Sequence, residues 1–381
     1  MANRRGNHEG SLYFHKTRNR WCAQVTLNGH RITKYGKTRV ECREWIKEMI
    51  AKVNAGLTYE GMQFTVEGFL EAWLNGKELS RRPKTVLQYR QVAHQHILPQ
   101  IGGMQLQDVH PSHLKQLYAL KRDEGRGART VQLIHAVLHN AFKQAVLEGI
   151  LGRNPADAVE RPRVEQSEMQ TLHENQARQF LLAAMGSPFE TIYYLALTSG
   201  MREGELLGLK WSDLDLNKST LFVQRQLQQI PGQGYVLVPP KTKAGRREIK
   251  LGQGTLTQLE AHRERQKLAK TNAGEKWQEN DFIFPTSLGT PLDHKRVRKE
   301  FKRILKSANL PNIRFHDLRH TSLNALLDHD VPVNAVQKRA GHATPSTTVN
   351  IYGHATARSQ EDAAEKIEEL VSPIAVKLQS K

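Results

Sequence analysis

The sequence predicts a multidomain, mainly α-helical protein with small β-sheets. Three observations predict it. The chain has 381 residues, too many for one ordinary core, so two or three domains are expected. Residues 1–60 alternate aromatic or β-branched with basic side chains, a period-two pattern. From residue 64 onward, long runs repeat apolar residues at helical spacing, broken by a short β-like stretch near 219–251. The expected divisions are 1–60, 64–160 and 170–381.

Composition narrows the partner. Lysine and arginine number 56 against 38 acidic residues, a net charge of +18. That excess favours a polyanion, either nucleic acid or an anionic membrane. No apolar run reaches the roughly 18 residues that span a bilayer. The opening "MANRRGNHEGSLYFHK" has no apolar signal core. The two cysteines, Cys22 and Cys42, form no C-x-x-C, which excludes a disulfide framework and a cysteine-based zinc finger. A cytosolic protein with nucleic acid as partner, and no membrane, is the reading.

The first segment, "GSLYFHKTRNRWCAQVTLNGHRITKYGKT", reads as strands, with Asn28-Gly29 as a hairpin signal. "RVECREWIKEMIAKVNAG" reads as a helix with Trp45, Ile46, Met49, Ile50 and Val53 on one face and Gly56 as its stop. The result is a three-stranded sheet packed on one helix. Residues 1–60 hold twelve basic and five acidic side chains, a large share of the net charge. Arg18, Arg20, Arg31 and Lys34, interleaved with aromatics, are candidates for DNA contact.

Residues 64 to about 165 read as all-helical. "TVEGFLEAWLNGKE" is one amphipathic helix. "RRPKTVLQYRQVAHQHILPQIG" is a second, closed by Pro99 and Gly102-Gly103. "HPSHLKQLYALKRDEG" opens at Pro111 and Ser112. "ARTVQLIHAVLHNAFKQAVLEGIL" is the longest and ends at Gly149 or Gly152. "GRNPADAVERPRVEQSEMQ", with Pro155 and Pro162, reads as a linker. Beyond it come helices, then "STLFVQRQLQQIPGQGYVLVPPKTKAGRREIKL", expected to be a three-stranded antiparallel sheet. "HKRVRKEFKRILKSANL" is a strongly basic helix that also carries Val297, Phe301 and Leu305 for a core.

Several residues carry possible chemistry. Arg202, in "LALTSGMREGELLGLKW", sits at a helix mouth with Glu205 three residues on. A helix N-terminus and an arginine fork both attract phosphate, while a plain surface ion pair is the simpler use. Lys241 and Lys243 flank a turn in "PPKTKAGRREIK", where a hairpin tip can carry a lysine to a leaving oxygen or simply solvate it. In "RFHDLRHTSLNALL", His316 and Arg319 share a helix face. His316 and His320 are four apart, a metal-ligand spacing, but Asp317 stands where a metalloprotease keeps its glutamate, and Arg319 would oppose a dication. "RAGHATPSTTVNIYGHATA" adds His342 after Gly341, and Tyr352 after the Thr347-Thr348 pair.

The ordered set Arg, Lys, His-x-x-Arg, His, Tyr resembles the tyrosine recombinase (phage integrase) family. The matching pieces are "TSGMREGELLGLKW", "PKTKAGRR", "HDLRHT", "AGH" and "TTVNIYGH". The helices before the catalytic part resemble the family's SAM-like core-binding domain. The N-terminal sheet and helix are similar to the arm-site-binding domain of larger integrases. The resemblance implies a mixed α/β catalytic domain of the tyrosine recombinase type over 170–381. It implies Tyr352 as nucleophile, forming a 3′-phosphotyrosine and a free 5′-hydroxyl. Arg202 and Arg319 would clamp the non-bridging oxygens, with a hydrogen bond from His342. His316 would handle the tyrosine proton, Lys241 would be the general acid, and Glu205 would support the site. Lys243 and Arg246 of the same turn would approach DNA, and Lys243 is the alternative acid. No cofactor and no metal are implied, because a covalent intermediate keeps the phosphodiester energy. The implied partners are double-stranded DNA at core and arm sites, a tetramer of the chain itself, an excisionase and a DNA-bending protein, in a bacterial cytoplasm.

The acidic, amphipathic end, "ARSQEDAAEKIEELVSPIAVKLQ", fits either packing on its own domain or docking on a neighbouring subunit, as the family does. Three rivals stand beside recombination. They are a DNA-binding regulator without cleavage, a type IB topoisomerase-like nicking-closing enzyme, and a metal-dependent nuclease. A regulator has no use for the whole residue set, and a topoisomerase needs neither arm domain nor docking tail.

Overall fold

The computed structural model describes residues 10–27, 29–54, 59, 64–80, 82–164 and 170–344. The chain divides into two compact units, Met1–Gln166 and Ser167–Lys381. The first begins with three antiparallel strands in the order β1 (Ser11–His15), β2 (Arg20–Leu27) and β3 (His30–Gly36). Leu27 pairs with His30, so two residues close the turn; Gly29 is one, and Asn28 lies outside the described residues. The register puts Leu12, Ala23, Val25 and Ile32 on one face. There they meet Cys42, Ile46 and Met49 of helix α1 (Arg39–Asn54). The expected face of α1 holds, with Cys42 added to it. Gly56, its expected stop, lies outside the described residues.

Five helices follow in this unit. α2 (Val66–Glu78) starts at Thr65, whose Oγ1 accepts from the Gly68 N–H at 3.1 Å, one orphan donor of the first turn satisfied. α3 (Pro83–Val92) runs through a wide π turn at Ala93–Ile97 into α4 (Leu98–Ile101). The helical path therefore passes Pro99 instead of closing there. A π turn just upstream relieves the clash between a proline ring and the carbonyl one turn back. α5 (Pro111–Asp123) and α6 (Ala128–Leu147) complete the bundle around Leu70, Leu74, Ile97, Leu114, Ile134 and Phe142. The expected linker is partly core. A short turn at Pro155–Ala158 seats Ala156 and Val159 beside Leu151 in the helical cluster. Their irregular spacing hides this from any periodicity.

The second unit opens with α7 (Glu174–Ala183), α8 (Glu190–Ser199) and the short α9 (Glu203–Leu207). Then come β4 (Leu214–Asp215), β5 (Thr220–Val223), β6 (Gln226–Ile230), β7 (Gly234–Val238) and β8 (Arg247–Lys250). The expected single three-stranded sheet is two sheets. β4, β5 and β8 form one, and β6 and β7 form a separate ribbon. The chain breaks between β5 and β6, where Gln224 and Arg225 both turn their side chains onto buried Asp213. The long α10 (Gln253–Ala273), α11 (His294–Ser307), α12 (Asp317–Asp328) and α13 (Val333–Ala340) follow. The basic helix α11 buries Val297, Phe301, Ile304 and Leu305. Phe301 packs edge-on to Phe180 and Phe315, with Tyr193 beside them.

β6 lies directly on α9, and glycine permits that approach. A Cβ on Gly208 would stand 2.9 Å from the Leu227 nitrogen and 3.1 Å from the Gln226 carbonyl carbon. Those atoms are backbone and cannot swing aside. Gly208→Ala is expected to destabilise the second unit by about 1–3 kcal/mol. A thermal melt unchanged from the parent protein would show that this close approach is not made.

Candidate active site

Four helix ends and one strand build the site. α8 ends at Gly200, in the left-handed region at φ 64. Two residues later Arg202 precedes α9. Glu205 reaches back from the first turn, accepting from the Arg202 N–H at 3.0 Å and from its Nη1 at 2.9 Å. Arg247, the first residue of β8, donates from Nη2 to the same carboxylate at 2.8 Å. Burial pushes the Glu205 carboxyl up; the Arg247 charge and hydrogen bond, then Arg202, outweigh it and hold it below the usual range.

α12 starts where Asp317 accepts from the Arg314 N–H at 2.7 Å and from its Nη2 at 2.8 Å. His316 precedes it. Arg319, only 2 % exposed, points inward two residues past the helix start. Its Nη1 donates to the Gly200 carbonyl at 2.7 Å and its Nη2 to the Ala340 carbonyl at 2.6 Å. Both acceptors stand at helix C-termini, which carry partial negative charge. Nη2 also meets His342 Nε2 at 2.9 Å.

His342 follows Gly341, whose φ is 67; a Cβ there would lie 2.9 Å from both the Ala244 carbonyl and Arg247 Nη1. Only glycine fits both the conformation and the space. Burial, then the charges of Arg319, Arg202 and Arg247, push the His342 pKa down to about 4. His342 is therefore neutral at pH 7. Its Nε2 accepts from Arg319, and the proton sits on Nδ1. His316 reaches the surface, yet its ring is partly desolvated. That desolvation, then His320, Arg319 and Arg202, push its pKa to about 4. His320 is buried edge-on to His316, with ring centroids 5.0 Å apart.

A depressed histidine has a signed consequence. The folded pKa of His342 lies below the unfolded value near 6.5. The unfolded chain binds the extra proton first, so stability is full above pH 6.5 and falls as the pH drops toward 4. The contribution from this buried ring is on the order of 3 kcal/mol. Chemical denaturation between pH 7.5 and 4.5 is expected to show that loss, and His342→Gln to make it shallower, with His316 keeping its own share. An equally steep slope in the variant would remove His342 as its source.

The remaining candidates are placed as follows. Lys241 and Lys243 lie on the exposed connection between β7 and β8, beside a short helical turn at Lys243–Gly245 capped by Thr242. Those strands belong to different sheets, so this is no hairpin tip. Lys241, Lys243 and Arg246 are all exposed. Tyr352, Thr347, Thr348 and the C-terminal segment lie outside the described residues. In the N-terminal sheet, the face opposite α1 carries Arg20 and Arg31 with Tyr13 and Tyr35, 42 % and 38 % exposed. The Arg18 guanidinium lies 4.6 Å from the centre of the Tyr35 ring. Lys34 is set apart from them. It shares the α1 face with Ile32, and its ammonium lies 3.8 Å from Glu41. Among the described residues no three His, Cys, Asp or Glu side chains group as a metal site, and no helix is long and apolar enough to cross a membrane.

The sequence reading missed Arg247 and Arg339. Arg247 has a side chain 5 % exposed. Strand parity was the available signal, since Arg247 is two residues before buried Ile249 and shares its face, while Arg246 points out. Arg339 lies near the end of α13 and donates to the Lys250 and Thr198 carbonyls at 3.2 and 2.7 Å. Burial and the Arg247 charge push its pKa down. The site is thus crowded with positive charge. Arg202 and Arg247 share the Glu205 carboxylate, Arg339 lies within the field of Arg247, and Arg319 joins Arg202 and Arg247 near His342. Asp317 is matched by Arg314.

The profile of the phage integrase family matches residues 163–359. That of the phage integrase N-terminal SAM-like domain matches 65–119. A tyrosine recombinase XerC-like protein of Caldanaerobacter subterraneus subsp. tengcongensis is 29 % identical over 365 residues, covering 90 % of this chain and 93 % of its own. The ICEBs1 integrase of Bacillus subtilis is 26 % identical over 304 residues, 79 % of this chain and 82 % of its own. Among solved structures, the Tn1549 transposon integrase in complex with transposon right-end DNA superposes with a TM-score of 0.69 at 22 % identity, over 80 % of this chain and 99 % of its own. A lambda integrase tetramer bound to a Holliday junction gives 0.58 at 20 % identity, over 93 % and 99 %.

Proposed function

The chain belongs to the phage integrase family, with a tyrosine-recombinase catalytic domain, and from that premise we propose how it cuts and rejoins DNA during the site-specific integration and excision of a mobile element. The observation that carries this reading is the meeting of Arg319, Arg202 and Arg247 around His342. Positive charges gathered in one cleft repel one another and become favourable together when an anion enters. A phosphodiester supplies that anion, and its transition state spreads further negative charge on the oxygens the arginines face.

Arg202 and Arg319 clamp the non-bridging oxygens of the scissile phosphate. Neutral His342 donates a third hydrogen bond from Nδ1. The Tyr352 hydroxyl oxygen attacks phosphorus, the bond to the 5′-oxygen breaks, and a 3′-phosphotyrosine forms. His316, neutral at pH 7, takes the phenolic proton, and Lys241 delivers a proton to the departing 5′-oxygen. Glu205 holds Arg202 in place. Attack by a 5′-hydroxyl reverses each step on a new strand, so ligation draws on the energy kept in the phosphotyrosine.

The open face of the N-terminal sheet, with Arg18, Arg20 and Arg31, reads an arm site. The helical domain and the 241–246 turn hold the core site. The domains responsible are residues 1–60, 64–160 and 170–381. Solved relatives include a dimer on a core site and a tetramer on a Holliday junction, and four copies of this chain assemble likewise. Excisionase and DNA-bending partners, and a bacterial cytoplasm as the place of action, complete the reading.

The test is a suicide DNA site nicked next to the cleavage position, incubated with the protein in EDTA. A covalent protein–DNA adduct is expected on a denaturing gel, with the nucleotide on the peptide that contains Tyr352. An adduct that needs a divalent metal, or that maps elsewhere, sinks the mechanism. Relaxation of any supercoiled plasmid without a specific site would indicate a nicking-closing enzyme instead.

A further inference from the structure

Arg247 belongs to none of the roles above, yet it bonds to three of the segments that build the site. Its Nη2 donates to Glu205 Oε2 at 2.8 Å. Its Nε donates to the Arg339 carbonyl at 2.6 Å, and its Nη1 to the Gly245 carbonyl at 3.1 Å. These partners come from three separate places. Glu205 holds Arg202 on α9. Arg339 is followed by Ala340, whose carbonyl takes Arg319 Nη2, and then by Gly341 and His342. Gly245 ends the turn that carries Lys241 and Lys243.

We infer that Arg247 is a positioning residue for strand cleavage, its single planar guanidinium fixing the Arg202–Glu205 pair, the end of α13 and the lysine turn in one frame. The inference rests on the recombinase reading and deepens it. Geometry argues for a fixed role. The side chain is 5 % exposed, so water does not replace its partners. A guanidinium offers donors in a rigid fork, so three fixed acceptors define one orientation. Gly341 is pressed against it, the would-be Cβ lying 2.9 Å from Nη1, which leaves no slack for a different rotamer. DNA does not need to touch Arg247 for this effect. A displacement near 1 Å of groups that do touch the phosphate is enough to slow a reaction by about a hundredfold.

Arg247 also sets the charge state of Glu205. Among the described residues, the charged groups facing that carboxylate are Arg202 from its own turn and Arg247 from β8. β6, packed on α9, brings Gln226 and Leu227, neither of which titrates. His342 feels both arginines. Removing Arg247 leaves a buried carboxylate with one cationic partner, and burial then raises its pKa. A protonated Glu205 holds Arg202 less firmly.

The test compares wild type, Arg247→Gln and Arg247→Lys in single-turnover cleavage of the nicked suicide site from pH 5.5 to 9. DNA binding by gel shift and thermal melting are measured on the same preparations, at a temperature where each is folded. Arg247→Gln is expected to bind DNA within about threefold of wild type and to cleave roughly 10–100-fold more slowly. Its rate is expected to gain an acid limb that wild type lacks, climbing with pH as Glu205 ionises. Arg247→Lys keeps the charge and loses the fork, so it is slow with no acid limb. Glu205→Gln added to Arg247→Gln is expected to cost little more. A pH profile parallel to wild type, or losses that simply multiply, would overturn the inference, as would slowing that tracks only the unfolded fraction. Wild type forming no adduct would overturn the recombinase reading and this inference with it. A normal wild type with a flat Arg247→Gln profile overturns the inference alone.

Discussion

Tyr352→Phe is expected to bind its DNA site normally and to form no covalent adduct, a loss on the order of 10⁶-fold in cleavage. The phenol has a pKa near 10, so about one part in a thousand is ionised at pH 7 in water. The guanidinium groups of Arg319, Arg202 and Arg247 near His342 favour the phenolate wherever the hydroxyl comes close. Phenylalanine keeps the ring and its packing while removing the only atom that can attack phosphorus. Binding depends on the basic surfaces, which the change does not touch. Gel shift and a denaturing gel on the same nicked site separate the two effects. An adduct in the variant would move the nucleophile to another residue. Loss of binding together with loss of adduct would mean that the hydroxyl is needed for docking, and the chemical argument would fail.

Arg319→Ala is expected to slow cleavage about 10³–10⁵-fold, the range for an arginine that meets transition-state charge on a phosphoryl group. It is also expected to destabilise the second unit by about 3 kcal/mol. The deletion strips their donor from the Gly200 and Ala340 carbonyls and from His342 Nε2, and a buried acceptor left unpaired carries its full desolvation cost. Arg319→Lys separates the two effects. An ammonium is a point charge and cannot span three acceptors set around a planar fork. It is expected to recover part of the stability and to leave cleavage at least about a hundredfold down. Single-turnover rates beside thermal melts provide both readings. Cleavage within tenfold of wild type in Arg319→Lys would show that charge alone is enough, and the clamp geometry would be irrelevant.

Much of this molecule was legible from local pattern. α1, α2 and α6 follow apolar spacing, and the N-terminal sheet follows alternation with one hairpin signal. Short-range pairs were legible too. Glu205 lies three residues from Arg202 and holds it, as the spacing indicated. What escaped depended on contacts between distant parts of the chain. The division of the β region into two sheets depends on Asp213 capturing Gln224 and Arg225. The passage through Pro99 depends on a π turn that no propensity announces. Lys34 looked like its neighbours in composition, but its parity turned it toward Glu41. Arg247 was hidden beside Arg246, because adjacent arginines look alike until one is known to be the first residue of a strand.

The bonds of Arg319 bear on when the cleft can form. Its two carbonyl acceptors belong to the ends of α8 and α13, 140 residues apart in sequence. A nascent chain that has not yet folded α13 has no Ala340 carbonyl to hold Arg319. Completing the last described helix and assembling the cleft are thus one event.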